Sequence, residues 1–244
     1  MKKDELEDSE WLSISDMMSG LMFIFLLIAV MYMREANNDI EELKRQSQEL
    51  KQIKENIEQV SKNFDNIKEQ ISQALSTEFK DNLKIWNAEI IGTVVRFKSP
   101  KMLFSVGKSS LRKKFKTILS NFFPRYIKIL KEFQVNIEEI RIEGHTSSKW
   151  NRWNSREQSY IKNAQLSQMR ALEVLKYSIS QTDVKNSFEW LVKVTRSNGL
   201  SFAKLILDKD GKEDFQSSRR VEFRVMTNIE VQLEKIKELL GKGN

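Results

Sequence analysis

The chain contains no cysteine, one histidine, two prolines and eight glycines in 244 residues. Without cysteine there are no disulfides, no thiolate nucleophile and no thiolate metal ligand, although this says nothing about redox compartment because many periplasmic domains also lack bridges. With His145 as the only histidine, a multi-histidine metal site is excluded. So little proline and glycine leaves small room for flexible linkers, and helix should dominate. Nothing in this inventory points to an enzyme or asks for a cofactor.

What is present is a long apolar run. From Met17 to Met33 there is no charged side chain, and counted from Ser13 the stretch reaches the roughly 20 residues that a helix needs to cross a bilayer core. It reads as a transmembrane helix over residues 11–33, with Trp11 in the interfacial aromatic belt. Asp16 is the only acidic or basic residue inside those limits. One reading makes it an N-cap, since Ser13, Ser15 and Asp16 all suit that position and a carboxylate meets the positive end of the helix dipole. In the other, the helix begins near Glu10 and holds Asp16 about one and a half turns deep. Desolvation there raises its pKa, so that it can take up and release a proton, and such residues are usually functional. A cleaved signal peptide fits less well. Lys2 and Lys3 are followed by Asp4, Glu5, Glu7, Asp8 and Glu10, and no A-x-A site follows the run.

Net charge is +7, unevenly spread. The segment before the span is acidic, whereas from Lys101 to Arg224 there are 25 Lys and Arg against 13 Asp and Glu. That excess suits either a polyanionic partner or a solvated surface. No basic and aromatic motif of a known nucleic-acid module is present, so nucleic acid is not the expected partner.

After the span, Leu43, Leu50, Ile57, Phe64 and Ile71 recur every seven residues, and Ile53, Val60, Ile67 and Ala74 form a second series three places later. A strict seven-residue period keeps one seam facing a partner, which predicts a coiled coil. A helix from Arg34 to Thr77 would be about 65 Å long. A single amphipathic helix lying on its own domain is the other reading of this pattern. A parallel homodimer would place two Asp16 side chains side by side.

The pattern breaks at Glu78 and Asp81. Beyond it, Glu89 to Phe97 reads as a strand, and Ser99-Pro100 turns the chain. Ser109 can cap a helix through Leu111, Phe115, Ile118, Leu119 and Phe122, which Pro124 should end or kink, with a second segment holding Tyr126, Ile127 and Leu130. Val135 to Glu143 reads as a strand, residues 144–147 as a turn, and Ser148 to Ser159 as a loop carrying Lys149, Trp150, Arg152, Trp153 and Arg156. Asn163 to Ile179 has helical spacing, and Phe188 to Val194 alternates as a strand does. A short helix around Phe202 to Leu207, a turn at Asp210-Gly211, a strand from Arg219 to Val225 and a last helix from about Asn228 to Leu240 complete the chain. The class is α+β: one N-terminal transmembrane helix, a parallel dimeric coiled coil, and a C-terminal α/β sandwich on a mixed sheet.

Four ordered motifs, FSVGKSSL from Phe104, IRIEGHTSS from Ile140, NAQLSQMRALEVL from Asn163 and SRRVEFRV from Ser218, resemble the OmpA-like peptidoglycan-binding fold over roughly Glu89 to Thr227. In that family an Asp after the G-x-T turn and the Arg of the LSxxRA helix clamp the diaminopimelate of a wall peptide. The resemblance makes Arg170 that Arg and Asn163 and Leu166 its flanking residues, with Thr146 and Ser147 on the turn. Ser147 stands where the family has Asp, and a hydroxyl cannot pair with an ammonium group. Arg219 and Arg220 match positions that mainly hold the fold together.

The short N-terminal tail, one span with W-x4-D-M-M at its start and a tethered OmpA-like domain resemble the B subunits of flagellar-type stators, the MotB family. The acidic tail, long heptad segment and GHTSS-x-W loop resemble more closely the ZorB-type B subunits of Zorya anti-phage systems. In the stator family two B subunits sit inside a ring of A subunits, and the Asp matched by Asp16 relays the coupling ion. The resemblance implies a cytoplasmic tail (1–10), the span (11–33), a periplasmic coiled coil and linker (34–85), a peptidoglycan-binding domain (86–228) and a C-terminal helix (229–244) of a single-pass inner-membrane protein. Its partners would be a MotA- or ZorA-like ring, a second copy of the chain, and peptidoglycan. The expected function is an ion-driven stator subunit of the Zorya type with the proton as coupling ion, the alternatives being a flagellar stator subunit and a passive wall tether without ion coupling.

Overall fold

The computed structural model describes residues 4–98, 100–105, 107–150 and 155–228, with the backbone alone described for 4–16, 56, 60, 61, 63, 64, 100 and 101. The expected C-terminal helix, residues 229–244, lies outside the described residues, as do Arg152 and Trp153.

The first element, α1, is a helix from Asp4 to Trp86. No proline and only Gly20 interrupt this sequence, and i to i+4 pairs such as Gln46 to Glu42 and Arg45 to Glu49 line its solvent side. The chain divides into two compact units, residues 1–60 and 61–244.

In the first unit, every large apolar side chain from Met17 to Met33 is exposed, from 44% at Ile28 to 77% at Met17. This part of the helix is long and apolar enough to cross a membrane, and its apolar stretch is not buried within the chain. The heptad residues Leu43, Leu50, Ile53 and Ile57 are exposed as well.

The second unit begins with the rest of α1, where Ile71, Leu75, Phe79 and Trp86 lie on one face and are buried in the core. Ile71, expected on the seam, thus packs within its own domain. Phe79 stacks against Trp86 and Phe122 at 5.7 and 5.1 Å between centroids, and Arg125 clamps the turn through Glu78 Oε1 at 2.6 Å and Asn82 Oδ1 at 3.0 Å.

A five-stranded sheet follows in the order β1-β2-β5-β3-β4, built from β1 (Ala88–Ile91), β2 (Val94–Phe97), β3 (Ile137–Gly144), β4 (Thr195–Gly199) and β5 (Val221–Thr227). Only β3 and β4 are parallel. The helices are α2 (Pro100–Leu103), α3 (Lys113–Glu132), α4 (Arg156–Ile179) and α5 (Phe188–Val194). Period-two alternation puts Val95, Phe97, Ile140, Ile142, Val221, Phe223 and Val225 into the apolar core and leaves Arg96, Glu143, Glu222 and Arg224 together on the other face. Gly144 and Gly199 are partners in the β3–β4 register. A Cβ on Gly144 would lie 2.3 Å from Ser167 O, and one on Gly199 2.3 Å from Gln168 N. Only glycine lets α4 lie this close to the two strands.

Several expectations are corrected. Glu89 to Phe97 is a hairpin of two short strands, β1 and β2, rather than one strand. Helix α3 starts at Lys113 after Arg112 in extended conformation, so Ser109 does not cap it, and Phe104 and Leu111 instead form a bridge. The helix runs through Pro124 to Glu132; burial of Phe122, Phe123, Tyr126 and Ile127 around it outweighs one lost hydrogen bond. Phe188 to Val194 is helical because its buried residues, Leu191 and Val194, are three apart rather than alternating; the strand is the polar segment that follows. Residues 202–204 are a turn and bend and Leu207 bridges to Glu213, so no helix forms there.

Candidate wall-ligand cavity beside a buried ion network

The strand β3 ends at Gly144, and the chain then runs through His145, Thr146 and Ser147, all buried. Backbone bonds fix this run: His145 N donates to Arg220 O at 3.0 Å and Thr146 N to Ser201 O at 2.8 Å. Helix α4 opens with a capping box, Ser155 Oγ accepting from Gln158 N while Gln158 returns the bond. It then lays Asn163, Leu166 and Arg170, at i, i+3 and i+7, along the side facing that run. A third segment joins them: Ser148 donates its N–H to Glu213 Oε1 at 2.9 Å and its hydroxyl to the same carboxylate. Asp214 holds the next turn by accepting from Gln216 N and Ser217 N.

The result is a cavity of about 380 Å³ lined by Gly107, Thr146, Ser147, Lys149, Trp150, Asn163, Leu166, Arg170, Phe215 and Arg219. All five wall-contact residues expected from the sequence meet here. Phe215 joins them with no signal in the sequence, and Arg219, expected mainly to hold the fold together, lines the cavity with its Nε donating to Phe215 O at 2.7 Å. Arg220, in contrast, is buried in the fold. Arg170 is held from two sides: its Nε donates to Lys108 O at 3.1 Å and its guanidinium lies 4.8 Å from the centre of the Phe104 ring. Burial, with Arg219 nearby, lowers its pKa to about 10, so it remains charged at neutral pH. Lys149 Nζ sits 3.9 Å from the centre of the Phe215 ring. Thr146 Oγ1 and Asn163 Nδ2 are buried with no hydrogen-bond partner among the described residues. Orphaned polar atoms of this kind are uncommon, and here they border a cavity.

Beneath this site, Glu143, His145 and Glu222 bring potential ligand atoms within 4.8 Å of one another. Their carboxylates are already engaged. Glu222 accepts from Arg220 Nε at 2.6 Å, Arg96 Nε at 2.8 Å and Arg224 Nη2 at 2.9 Å, and Arg224 Nε reaches Glu143 Oε2 at 3.3 Å. Three guanidiniums around two carboxylates disfavour a cation, so the cluster is an ion network rather than a metal centre. Burial pushes the Glu222 carboxyl up, and the His145 ring with Arg220 and Arg96 overcomes it, holding the group at about 2. Burial lowers the His145 pKa, opposed by Glu143. Burial prevails, leaving the ring neutral at pH 7 although Glu143 Oε2, 3.5 Å from Nε2, favours the protonated form.

At the other end of the chain, α1 begins at Asp4, so Asp16 lies in the helix interior and the N-cap reading is excluded. The Asp16 side chain lies outside the described residues.

The fold and cavity define an OmpA-like α/β domain carried behind a long apolar helix, and residues 103–221 match the model of the OmpA family. The chain is moreover 41% identical over 237 residues to Zorya protein ZorB of Escherichia coli, a match spanning 96% of this chain and 94% of that one. It belongs to the ZorB family. Among solved structures, a putative MotB-like protein from Desulfovibrio vulgaris is 18% identical with a TM-score of 0.47, covering 67% of this chain and 96% of that one. The periplasmic domain of Helicobacter pylori MotB (residues 78–256) is 18% identical with a TM-score of 0.41, covering 64% and 91%. The cell wall anchor of the type VI secretion system from Pseudomonas aeruginosa is 20% identical with a TM-score of 0.43, covering 63% and 97%.

Proposed function

We propose that this chain is the B subunit of an ion-driven inner-membrane motor of the Zorya type. Two copies join through the heptads at Leu43, Leu50, Ile53 and Ile57, and their spans sit inside a ring of A subunits. Asp16 takes up and releases the coupling proton. The OmpA-like domain holds the dimer to peptidoglycan through Arg170, Asn163, Leu166, Thr146 and Ser147, so that the ring turns against something fixed. The tail is cytoplasmic and the domain periplasmic.

The observation that carries this reading is the position of Asp16: the one residue of the span charged at neutral pH in water, interior to a helix whose next seventeen residues, 17–33, carry no charge. A carboxylate in that setting is worth keeping only if it changes charge or finds a partner. Each neutralisation alters a local electrostatic contact with the surrounding ring and biases it toward its next position. One charge crossing 100 mV releases about 2.3 kcal/mol, so a few ions per step suffice for mechanical work.

The test is a phage challenge of cells carrying the complete system. Asp16→Asn should abolish protection with expression and sacculus retention intact, and Arg170→Ala should release the protein from sacculi. Full protection by Asp16→Asn would leave a passive wall tether.

A further inference from the structure

The cavity beside α4 carries three cations, Lys149, Arg170 and Arg219, and no carboxylate among its described lining residues. In the neighbouring loop, Glu213 is taken by the backbone and hydroxyl of Ser148 and Asp214 by Gln216 and Ser217. Arg170 uses Nε on a backbone carbonyl, which leaves the paired edge of its guanidinium for a ligand. A mostly buried cation without a counter-charge is costly, and a bound anion removes that cost. Thr146 Oγ1 and Asn163 Nδ2, buried and without a partner among the described residues, add neutral polar groups to the same wall. Leu166, Trp150 and Phe215 supply an apolar side for the ligand's carbon chain.

We infer that this site selects a wall peptide by two anionic groups and does not read an ammonium group. One carboxylate forks onto Arg170, and a second lies between Lys149 and Arg219. The inference rests on the wall-binding reading above and specifies its ligand. At Ser147 the site offers a hydroxyl, which gives an ammonium no counter-charge, while three cations repel it. A ligand whose amine is acylated, as in a cross-linked stem, therefore fits as well as or better than one whose amine is free.

The experiment is equilibrium binding of the detergent-solubilised full chain to three synthetic stem tripeptides ending in diaminopimelate. One has its distal amine free, one has that amine acetylated, and one has its terminal carboxylates converted to amides. Acetylation should leave affinity equal or raised, and amidation should lower it about tenfold or more, the scale of a lost charge-assisted contact. In Ser147→Asp the order should reverse toward the free amine; the wild-type series decides the matter if that variant fails to fold. Loss of binding on acetylation would overturn the inference while preserving wall binding. No binding by any tripeptide, with the chain still retained on sacculi, would overturn it and place the contact elsewhere in the wall. Absence of both would remove the wall-binding reading itself. Displacement of the tripeptide by a glycerol phosphate polymer at lower concentration would assign the cations to phosphate instead.

Discussion

Residues 17–57 and 71–86 are both parts of α1, yet they treat their apolar side chains in opposite ways. In the first, Leu21, Phe25, Leu43 and Leu50 are all exposed. In the second, Ile71, Leu75, Phe79 and Trp86 are buried against strands and helices of the same chain. A continuous exposed apolar surface marks a missing environment, and a sequence with no charge over residues 17–33 points to lipid, whereas a seven-residue seam points to another helix. The helix therefore treats its apolar side chains differently along its length: residues 17–33 are long and apolar enough to cross a membrane, Leu43, Leu50, Ile53 and Ile57 are exposed, and residues 71–86 pack into their own domain.

Substitutions sharpen that contrast. Phe79→Ala should lower the stability of the domain by about 3–5 kcal/mol, read by chemical denaturation of the full chain. Leu50→Ala should leave that transition in place and weaken self-association, seen as reduced cross-linking. Equal effects on domain unfolding would erase the distinction. Glu222→Gln should cost a comparable 3–5 kcal/mol, roughly, because three arginines lose their shared counter-charge in a buried place. Gly144→Ala should cost about 1–3 kcal/mol, since the new methyl meets the backbone of Ser167 and pushes α4 away. That variant should also weaken sacculus retention, because Asn163 and Arg170 move with the helix.

The smallest effect is on pH. His145 has a lowered pKa in the fold, so below about 6.5 the unfolded chain binds a proton that the native state resists. Stability is then full above pH 6.5 and declines as pH falls. Glu222, held at about 2, keeps its charge in the fold while the unfolded chain protonates, and adds a second decline below about 4.5. Thermal melts across pH 8 to 3 should show both. A melting temperature that rises between pH 7 and 5.5 would contradict the neutral buried histidine.

Much of this was legible in the sequence because one-dimensional pattern suffices for it. The charge-free run, the heptads and the order of four motifs required no three-dimensional information. Arg170, Asn163 and Leu166 were named by the resemblance to the OmpA-like motif, and their i, i+3 and i+7 spacing on α4 puts them on one face. The strand β4, TRSNG, was missed because a short, polar, glycine-ended segment carries no apolar alternation; its place is fixed by pairing with β3 and by α4 packing on Gly199. Phe188 to Val194 misled because its apolar residues fit either period, and burial of Leu191 and Val194 decided between them. Phe215 and Lys149 converge through the Ser148–Glu213 bond, a contact across 65 positions that no local spacing announces. That every charged side chain among the described lining residues is a cation was likewise visible only from the fold, which lines the cavity with Arg219 and buries Arg220 in the ion network.

The most direct test of ion coupling is proton uptake into vesicles containing this chain with its A-subunit ring, followed by a pH-sensitive dye under an imposed membrane potential. The wild-type complex should acidify the lumen, and Asp16→Asn should bring the rate to that of empty vesicles while the domain still binds sacculi. Equal uptake by Asp16→Asn and wild type would contradict the account.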